Sequence, residues 1–184
     1  MRIIGGRYGS RIIAIPKGVH VRATQDKVRE AIFNILGDIG GRSVLDLFAG
    51  SGAMGIEALS RGASRSTFVD ISSRCTETIL SNLLRLGITL DSFEIVRSDA
   101  LKFLDGVALR GTKFDIVMID PPYQDPAAIN CLINADNHDI LSPYGILVAE
   151  HHKKDSLAAD LRNLVLLKER RYGDTVVSIY RNAR

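Results

Sequence analysis

The chain has no tryptophan, two cysteines among 184 residues, five prolines and four histidines, and aromatic residues make up only 6% of it. Each shortage removes a class of reading. Cys75 and Cys131 sit in different segments without Cys-x-x-Cys spacing, so free thiols in a reducing compartment are expected rather than a disulfide framework or a zinc site. His151 and His152 are neighbours, which on a strand places them on opposite faces and excludes a chelating pair; no metal is expected. No apolar run approaches the roughly 18 residues of a membrane span. The opening Met1-Arg2-Ile3-Ile4-Gly5-Gly6 lacks the long apolar core of a signal peptide. A cytoplasmic protein with no membrane partner is therefore expected, and repeats and low-complexity tracts are also missing.

What is present is an ordinary globular composition, 46% apolar and 24% charged, enough for one domain with a sizeable core. The net charge is only +3, but it is unevenly spread. Residues 1–29 carry seven cations (Arg2, Arg7, Arg11, Lys17, Arg22, Lys27, Arg29) against Asp26, which makes this stretch +6 and leaves −3 for the rest. Such clustering is the footprint of phosphate contact, because each neutralised phosphate releases counterions. A solvated face selected for solubility has the same composition. Residues 1–22 read as a basic hairpin arm and 23–184 as the main domain. In the arm, Ile3-Ile4 and Ile12-Ile13-Ala14-Ile15 flank the turn formers Gly5-Gly6 and Gly9-Ser10, before Pro16 and Gly18 break the pattern. From Thr24, a plausible N-cap, Val28, Ile32, Ile35 and Leu36 recur at helical spacing. That places Lys27, Arg29 and Asn34 off the buried stripe.

Short apolar runs then alternate with helical stretches, as in a parallel sheet covered on both faces. Strands are predicted at Val44 to Phe48, Ser66 to Val69, Phe93 to Val96, Phe114 to Ile119 and Gly145 to Glu150. Helices are predicted near Met54 to Arg61, Arg74 to Leu86, Ala100 to Leu104 and Pro126 to Asn134. A further helix near Asp155 to Leu161 precedes two runs, Leu164 to Lys168 and Thr175 to Tyr180, that read as an antiparallel hairpin closing one edge.

Two motifs carry the chemistry. Asp46-Leu47-Phe48-Ala49-Gly50-Ser51-Gly52 leads from a strand into a helix. Gly50 to Gly55 also satisfies G-x-G-x-x-G, the dinucleotide pattern. Asp46 separates the cofactors, since a carboxylate beside the loop repels a pyrophosphate but suits the ammonium and sulfonium charges of S-adenosyl-L-methionine (SAM). Asp70, next to Ile71, ends the second strand 20 residues after Gly50, where a carboxylate can take ribose hydroxyls. Asp99, before Ala100, can accept from an adenine amino group. Either acid can instead be a helix cap. Glu57 and Arg61, at i and i+4, read as a helix-stabilising pair, and Glu150, at the end of the fifth strand, either reaches the crevice or caps the adjoining turn.

The second motif, Asp120-Pro121-Pro122-Tyr123, leaves a strand at the same edge. An exocyclic amine of guanine, adenine or cytosine is a poor nucleophile because its lone pair is delocalised into the ring. Its protons must be held by acceptors while nitrogen turns tetrahedral. A carboxylate and a prolyl carbonyl supply those acceptors, and consecutive prolines aim them in advance. Tyr123 offers a face on which an extruded base can stack, and the departing proton can pass to Asp120 or water. By itself the motif is often only a turn.

With these residues in hand, the chain resembles the bacterial 16S ribosomal RNA guanine-N2 methyltransferases of the RsmD type over nearly its full length. The likeness rests on Arg2-Ile3-Ile4-Gly5-Gly6-Arg7, on Arg22-Ala23-Thr24 through Val28-Arg29-Glu30 to Phe33-Asn34, on the run from Asp46 to Gly62, and on Asp120 to Tyr123. The resemblance implies an α/β, Rossmann-like SAM-dependent methyltransferase fold: a mostly parallel seven-stranded sheet, helices on both faces, a C-terminal antiparallel hairpin and a small N-terminal β-hairpin arm. It implies methylation of a guanine N2, guanine 966, in 16S rRNA or the assembling small subunit by a monomer. Asp46, Phe48, Ala49, Gly50, Ser51, Gly52, Asp70, Ile71, Asp99, Ala100 and Asp120 would serve SAM. Asp120, Pro121, Pro122 and Tyr123 would serve the chemistry, and Arg2, Arg7, Arg11, Arg22, Thr24, Arg29 and Asn34 the RNA. Ala23 stands where this family usually has proline. Three rivals remain: an amino-methyltransferase acting on adenine or cytosine in DNA or another RNA, a nicotinamide-dependent enzyme, and a non-catalytic RNA-binding protein. Substrate assays, calorimetry with SAM and NAD, and an Asp120 variant separate them.

Overall fold

The computed structural model describes residues 1–18, 26–122, 127–155, 157 and 161–184. Among them, seven strands form one sheet: β1 (Ser43–Leu47), β2 (Arg65–Asp70), β3 (Phe93–Arg97), β4 (Phe114–Ile119), β5 (Leu141–His152), β6 (Leu164–Tyr172) and β7 (Thr175–Asn182). Their order is β3-β2-β1-β4-β5-β7-β6, parallel through β5 with β7 antiparallel between β5 and β6. The helices are α1 (Asp26–Leu36), α2 (Ala53–Ser60), α3 (Ser73–Leu86), α4 (Ala100–Arg110) and α5 (Ala127–Asn137). This is the expected doubly wound, Rossmann-like architecture. The order reverses between β1 and β4, where such sheets open a crevice at their carboxyl edge.

Period-2 alternation sorts the sheet residues. Leu45, Leu47, Val69, Val117 and Ile119 pack with Phe103, Leu104 and Val107 of α4 and Leu132 and Ala135 of α5. Val44, Ile116, Met118, Val148 and Ile179 face Val28, Ile32 and Phe33 of α1 and Met54 and Ala58 of α2. Asp46 belongs to the second set by parity, so its carboxyl enters the core beneath α2. α4 extends to Arg110, beyond the predicted Leu104, because Val107 continues its buried stripe and only Gly111, at φ 64°, ends it. β5 starts at Leu141 rather than Gly145, with a register shift between Phe114 and Ile116 on its neighbour. Cys75 and Cys131 are buried and in no disulfide, and no described helix is long and apolar enough to cross a membrane. The predicted helix near Asp155 to Leu161 falls largely outside the described residues, as do Arg22, Ala23 and Thr24.

The N-terminal segment forms a short antiparallel hairpin: Arg2 bridges Ile12, Ile3 N donates to Arg11 O and Ile13 N to Met1 O, each at 2.9 Å, around a 3-10 turn at Gly6–Tyr8. Further backbone groups of the segment bond to α2 and α3. Glu57 accepts from the N–H groups of Ile4 and Gly5 at 2.8 and 2.9 Å, and Ser60 Oγ accepts from Tyr8 N at 2.9 Å. Gly6, at φ 72°, lies so close that an added Cβ would meet Ser60 O at 1.9 Å. Ile3 and Ile13, at 0% and 2% exposure, join Ile56, Ile79 and Leu83 in a third apolar cluster. Burying each such side chain contributes about 1.5–3 kcal/mol, which explains why the segment lies docked rather than projecting.

The same docking buries a residue expected outside. Arg29 is 0% exposed; its guanidinium meets Glu57 at 3.6 Å and Asp26 at 3.1 Å and donates to Arg2 O. An RNA-contact role for Arg29 is therefore corrected to a structural one. Helical spacing puts it beside the apolar stripe, and the docked segment covers that flank. Lys27 and Asn34 are exposed as expected.

Candidate active site

Leu47 pairs with Val69 on one side and Ile119 on the other, so Phe48, Asp70 and Asp120, each one residue further along its chain segment, reach the carboxyl edge of the sheet at one level. They border a cleft of about 200 Å³ whose walls include Gly50, Ile71, Asp99, Ala100, Pro121 and Pro122. The loop after β1 is wound by unusual backbone: Phe48 at φ 61°, Gly50 at φ 55° and Gly52 at φ 79°. A left-handed phenylalanine costs about 1–3 kcal/mol and persists only where its surroundings enforce it, most often at a functional site. Gly55, one turn into α2, packs so closely that a Cβ would sit 2.3 Å from the Phe68 ring. It is the third glycine of the motif, and it sets the helix against the sheet.

Three carboxylates organise the loop. Asp70 Oδ2 accepts from Gly50 N and Oδ1 from Ser72 N, each at 2.9 Å, tying the loop to the turn before α3. Asp99 Oδ1 accepts from Lys102 N at 3.1 Å and caps α4 while its side chain faces the cleft. Asp99 therefore caps and lines at once, whereas Asp70 lines the cleft and closes the turn ahead of α3 without capping that helix. Asp46 is buried and accepts from Gly55 N at 2.9 Å. Burial, together with the charges of Asp120 and Asp70, raises its pKa from 3.8 to about 7 against the opposing Gly55 bond. A bound cation would relieve that crowding.

The cleft assembles Phe48, Gly50, Asp70, Ile71, Asp99, Ala100, Asp120, Pro121 and Pro122 from the residues singled out in the sequence. Asp46, Ala49, Ser51 and Gly52 do not line it; all four are buried. Tyr123 lies outside the described residues. Val69, Ser72, Cys75 and Ser98 also line the cleft. The only sequence signal for them is proximity to Asp70 and Asp99. Burial pushes the Cys75 thiol upward. Among the described lining residues there is no lysine or arginine, a poor setting for a pyrophosphate and a good one for a cationic amino acid with a ribose and an adenine. Of the expected RNA contacts, Arg2, Arg7 and Arg11 are exposed, with Arg2 3.4 Å from Asp26 and Arg7 stacked over Tyr8 at 5.7 Å.

Comparison with known proteins agrees with this geometry. A family model described as conserved hypothetical protein 95 matches residues 1–181. The Bacillus subtilis protein YlbH, named as a candidate rRNA methyltransferase, is 40% identical over 98% of both chains. Ribosomal RNA small subunit methyltransferase D of Escherichia coli K12 is 32% identical over 98% of this chain and 89% of its own length. Among solved structures, the E. coli methyltransferase candidate yhhF superposes with a TM-score of 0.84 at 31% identity, over 99% of this chain and 97% of its own. With a family model matching nearly the whole length and relatives above 30% identity, the chain belongs to the ribosomal RNA small subunit methyltransferase D family.

Proposed function

We propose that the protein uses SAM to methylate the exocyclic N2 of a guanine in small-subunit ribosomal RNA, guanine 966 by family resemblance, as a monomer in the cytoplasm. The observation that carries the proposal is the juxtaposition of Asp120-Pro121-Pro122 with the glycine loop in a cleft walled by carboxylates. The small-subunit rRNA relative supports the substrate class.

SAM, when bound, supplies an electrophilic methyl group on a positively charged sulfur. In this reading Asp70 takes the ribose hydroxyls with the remaining acceptor capacity of its oxygens, Asp99 takes the adenine amino group, and Asp46 supplies counter-charge behind the loop. Phe48, Ile71, Ala100 and Pro121 provide apolar wall and exclude water. Asp120 and the adjoining prolyl carbonyl hold the two protons of the target amine, which frees the nitrogen lone pair from the ring. Pro121 and Pro122 restrict the loop, so these acceptors need little reorganisation. Asp120 or water then receives the proton lost from nitrogen. Tyr123 is assigned to base stacking. Residues 1–22 form the RNA-contacting arm, with Arg2, Arg7 and Arg11 meeting phosphates.

The test is methyl incorporation from labelled SAM into small-subunit RNA and assembling subunits from cells lacking the modification, beside plasmid DNA, with mass-spectrometric mapping of the product. N2-methylguanine in the RNA is the expected result; methyladenine or methylcytosine in DNA would overturn the substrate. Asp120→Ala should lower kcat by about 10²–10⁴ with RNA affinity unchanged, and equal turnover would refute the assignment.

A further inference from the structure

Asn82 on α3 is 1% exposed and sits on the same buried face as Ile79, Leu83 and Leu86. An apolar side chain would be the ordinary choice there. Its amide instead joins two segments far apart in sequence. Oδ1 accepts from Ala14 N at 2.8 Å, and Nδ2 donates to Ala14 O at 3.0 Å and to Ser51 O at 3.0 Å. Only a primary amide offers an acceptor and two donors in one plane, so the pattern specifies asparagine. A second link runs alongside: the Met1 sulfur lies 3.8 Å from Ser51 Oγ and 3.3 Å from Arg29 Nη1.

Ser51 stands between Gly50 and Gly52, both at positive φ. Glycines reach many conformations, so a fixed carbonyl between them selects which one persists. That carbonyl is held by the residue that holds the arm. We propose that Asn82 is a positioning residue coupling the N-terminal arm to the cofactor loop, so that RNA on the arm tightens SAM binding and SAM tightens RNA binding. The inference rests on the reading of the arm as an RNA contact and of the loop as the SAM loop. The coupling is reciprocal by thermodynamic necessity, and it needs no movement larger than the length of one hydrogen bond.

The experiment is calorimetry of SAM with and without a small-subunit RNA transcript, on the wild-type protein and on Asn82→Ala. The wild type should bind SAM several-fold more tightly with RNA present. Asn82→Ala should bind SAM about tenfold more weakly, the scale of one or two buried hydrogen bonds, and RNA should no longer alter that affinity. Its kcat at saturating SAM should remain within about threefold, a split that general loss of structure would not produce. Asn82→Asp, which keeps the acceptor for Ala14 N and loses both donors, should reproduce the effect if the alanine variant does not fold. In the wild type, SAM should slow hydrogen exchange at the Ala14 amide. SAM binding with unchanged Ala14 exchange, or with the same RNA effect in wild type and variants, overturns this inference alone. No binding of SAM by the wild type overturns the cofactor reading and this inference with it.

Discussion

Glu57, under the N-terminal segment, and Asp46, behind the glycine loop, are both buried carboxylates that grip backbone N–H groups, and they differ in how the charge is met. Where the N-terminal segment meets α2, Glu57 holds Ile4 and Gly5 and is faced by Arg29 at 3.6 Å and Arg61 at 2.8 Å. Arg61 in turn lies over Phe33, 5.0 Å from its centroid. At the cleft, Asp46 holds Gly55, and the charges acting on it are those of two further acids, Asp120 and Asp70. The first arrangement is electrostatically complete and serves architecture. In the second, burial and the neighbouring acids favour a proton on Asp46, and a bound cation would relieve the same crowding.

The contrast can be broken most severely at Glu57. Glu57→Ala removes the buried counter-charge shared by Arg29 and Arg61 and both acceptors for Ile4 N and Gly5 N, leaving Arg29 only Asp26 as an acidic partner; it should cost about 3–5 kcal/mol, read as a large fall in the thermal midpoint with the segment released from α2. A change near zero would mean that the arginines are not committed to it. Asp46 should behave in the opposite way. The folded protein keeps on Asp46 a proton that the unfolded chain releases above its pKa of 3.8. Stability should therefore fall as pH rises from about 4 to about 7 and then level off. Asp46→Asn keeps an acceptor for Gly55 N and removes that fall, so it should gain about 2 kcal/mol over wild type at pH 8 relative to pH 5, measured by denaturant titration. SAM affinity of the wild type should rise across the same interval, and the variant should lose that rise.

A neutral substitution sharpens the comparison. Gly55→Ala forces a Cβ against the Phe68 ring and should cost about 1–3 kcal/mol while weakening SAM binding, because α2 and its loop must shift together. The smallest effects belong to the exposed cations. Arg7→Ala and Arg11→Ala should each weaken RNA binding and reduce the slope of log affinity against log salt by about one, leaving folding stability within about 0.5 kcal/mol of wild type. An unchanged slope would remove that residue from the RNA surface.

Much of the site was legible because its signals are local. The glycine loop, the acids after β2 and β3 and the two prolines after β4 occupy positions that strand alternation and turn chemistry specify within a few residues. Of the two acids read as cap or ligand, Asp99 does cap α4 while lining the cleft, and Asp70 instead ties Gly50 N and Ser72 N together at the cleft's edge. Glu57 and Arg61 do pair as i and i+4, yet nothing within α2 indicated that the same carboxylate also captures Ile4 and Gly5. Arg29 looked exposed by helical spacing and is buried by a segment that precedes it in the chain and folds back over α1. Asn82 gave no signal, because its partners are 68 and 31 residues away.

By itself the sequence determined the order of strands and helices, the wound loop and the Asp-Pro-Pro turn. Periodicity, glycine freedom and proline restriction act over a few neighbouring residues and do not depend on what packs from afar. Only the tertiary structure decided which charged and polar side chains became internal. Burying a guanidinium or an amide is unfavourable unless partners from distant segments complete its hydrogen bonds, and those partners meet only once the sheet, α2, α3 and the N-terminal segment have packed together.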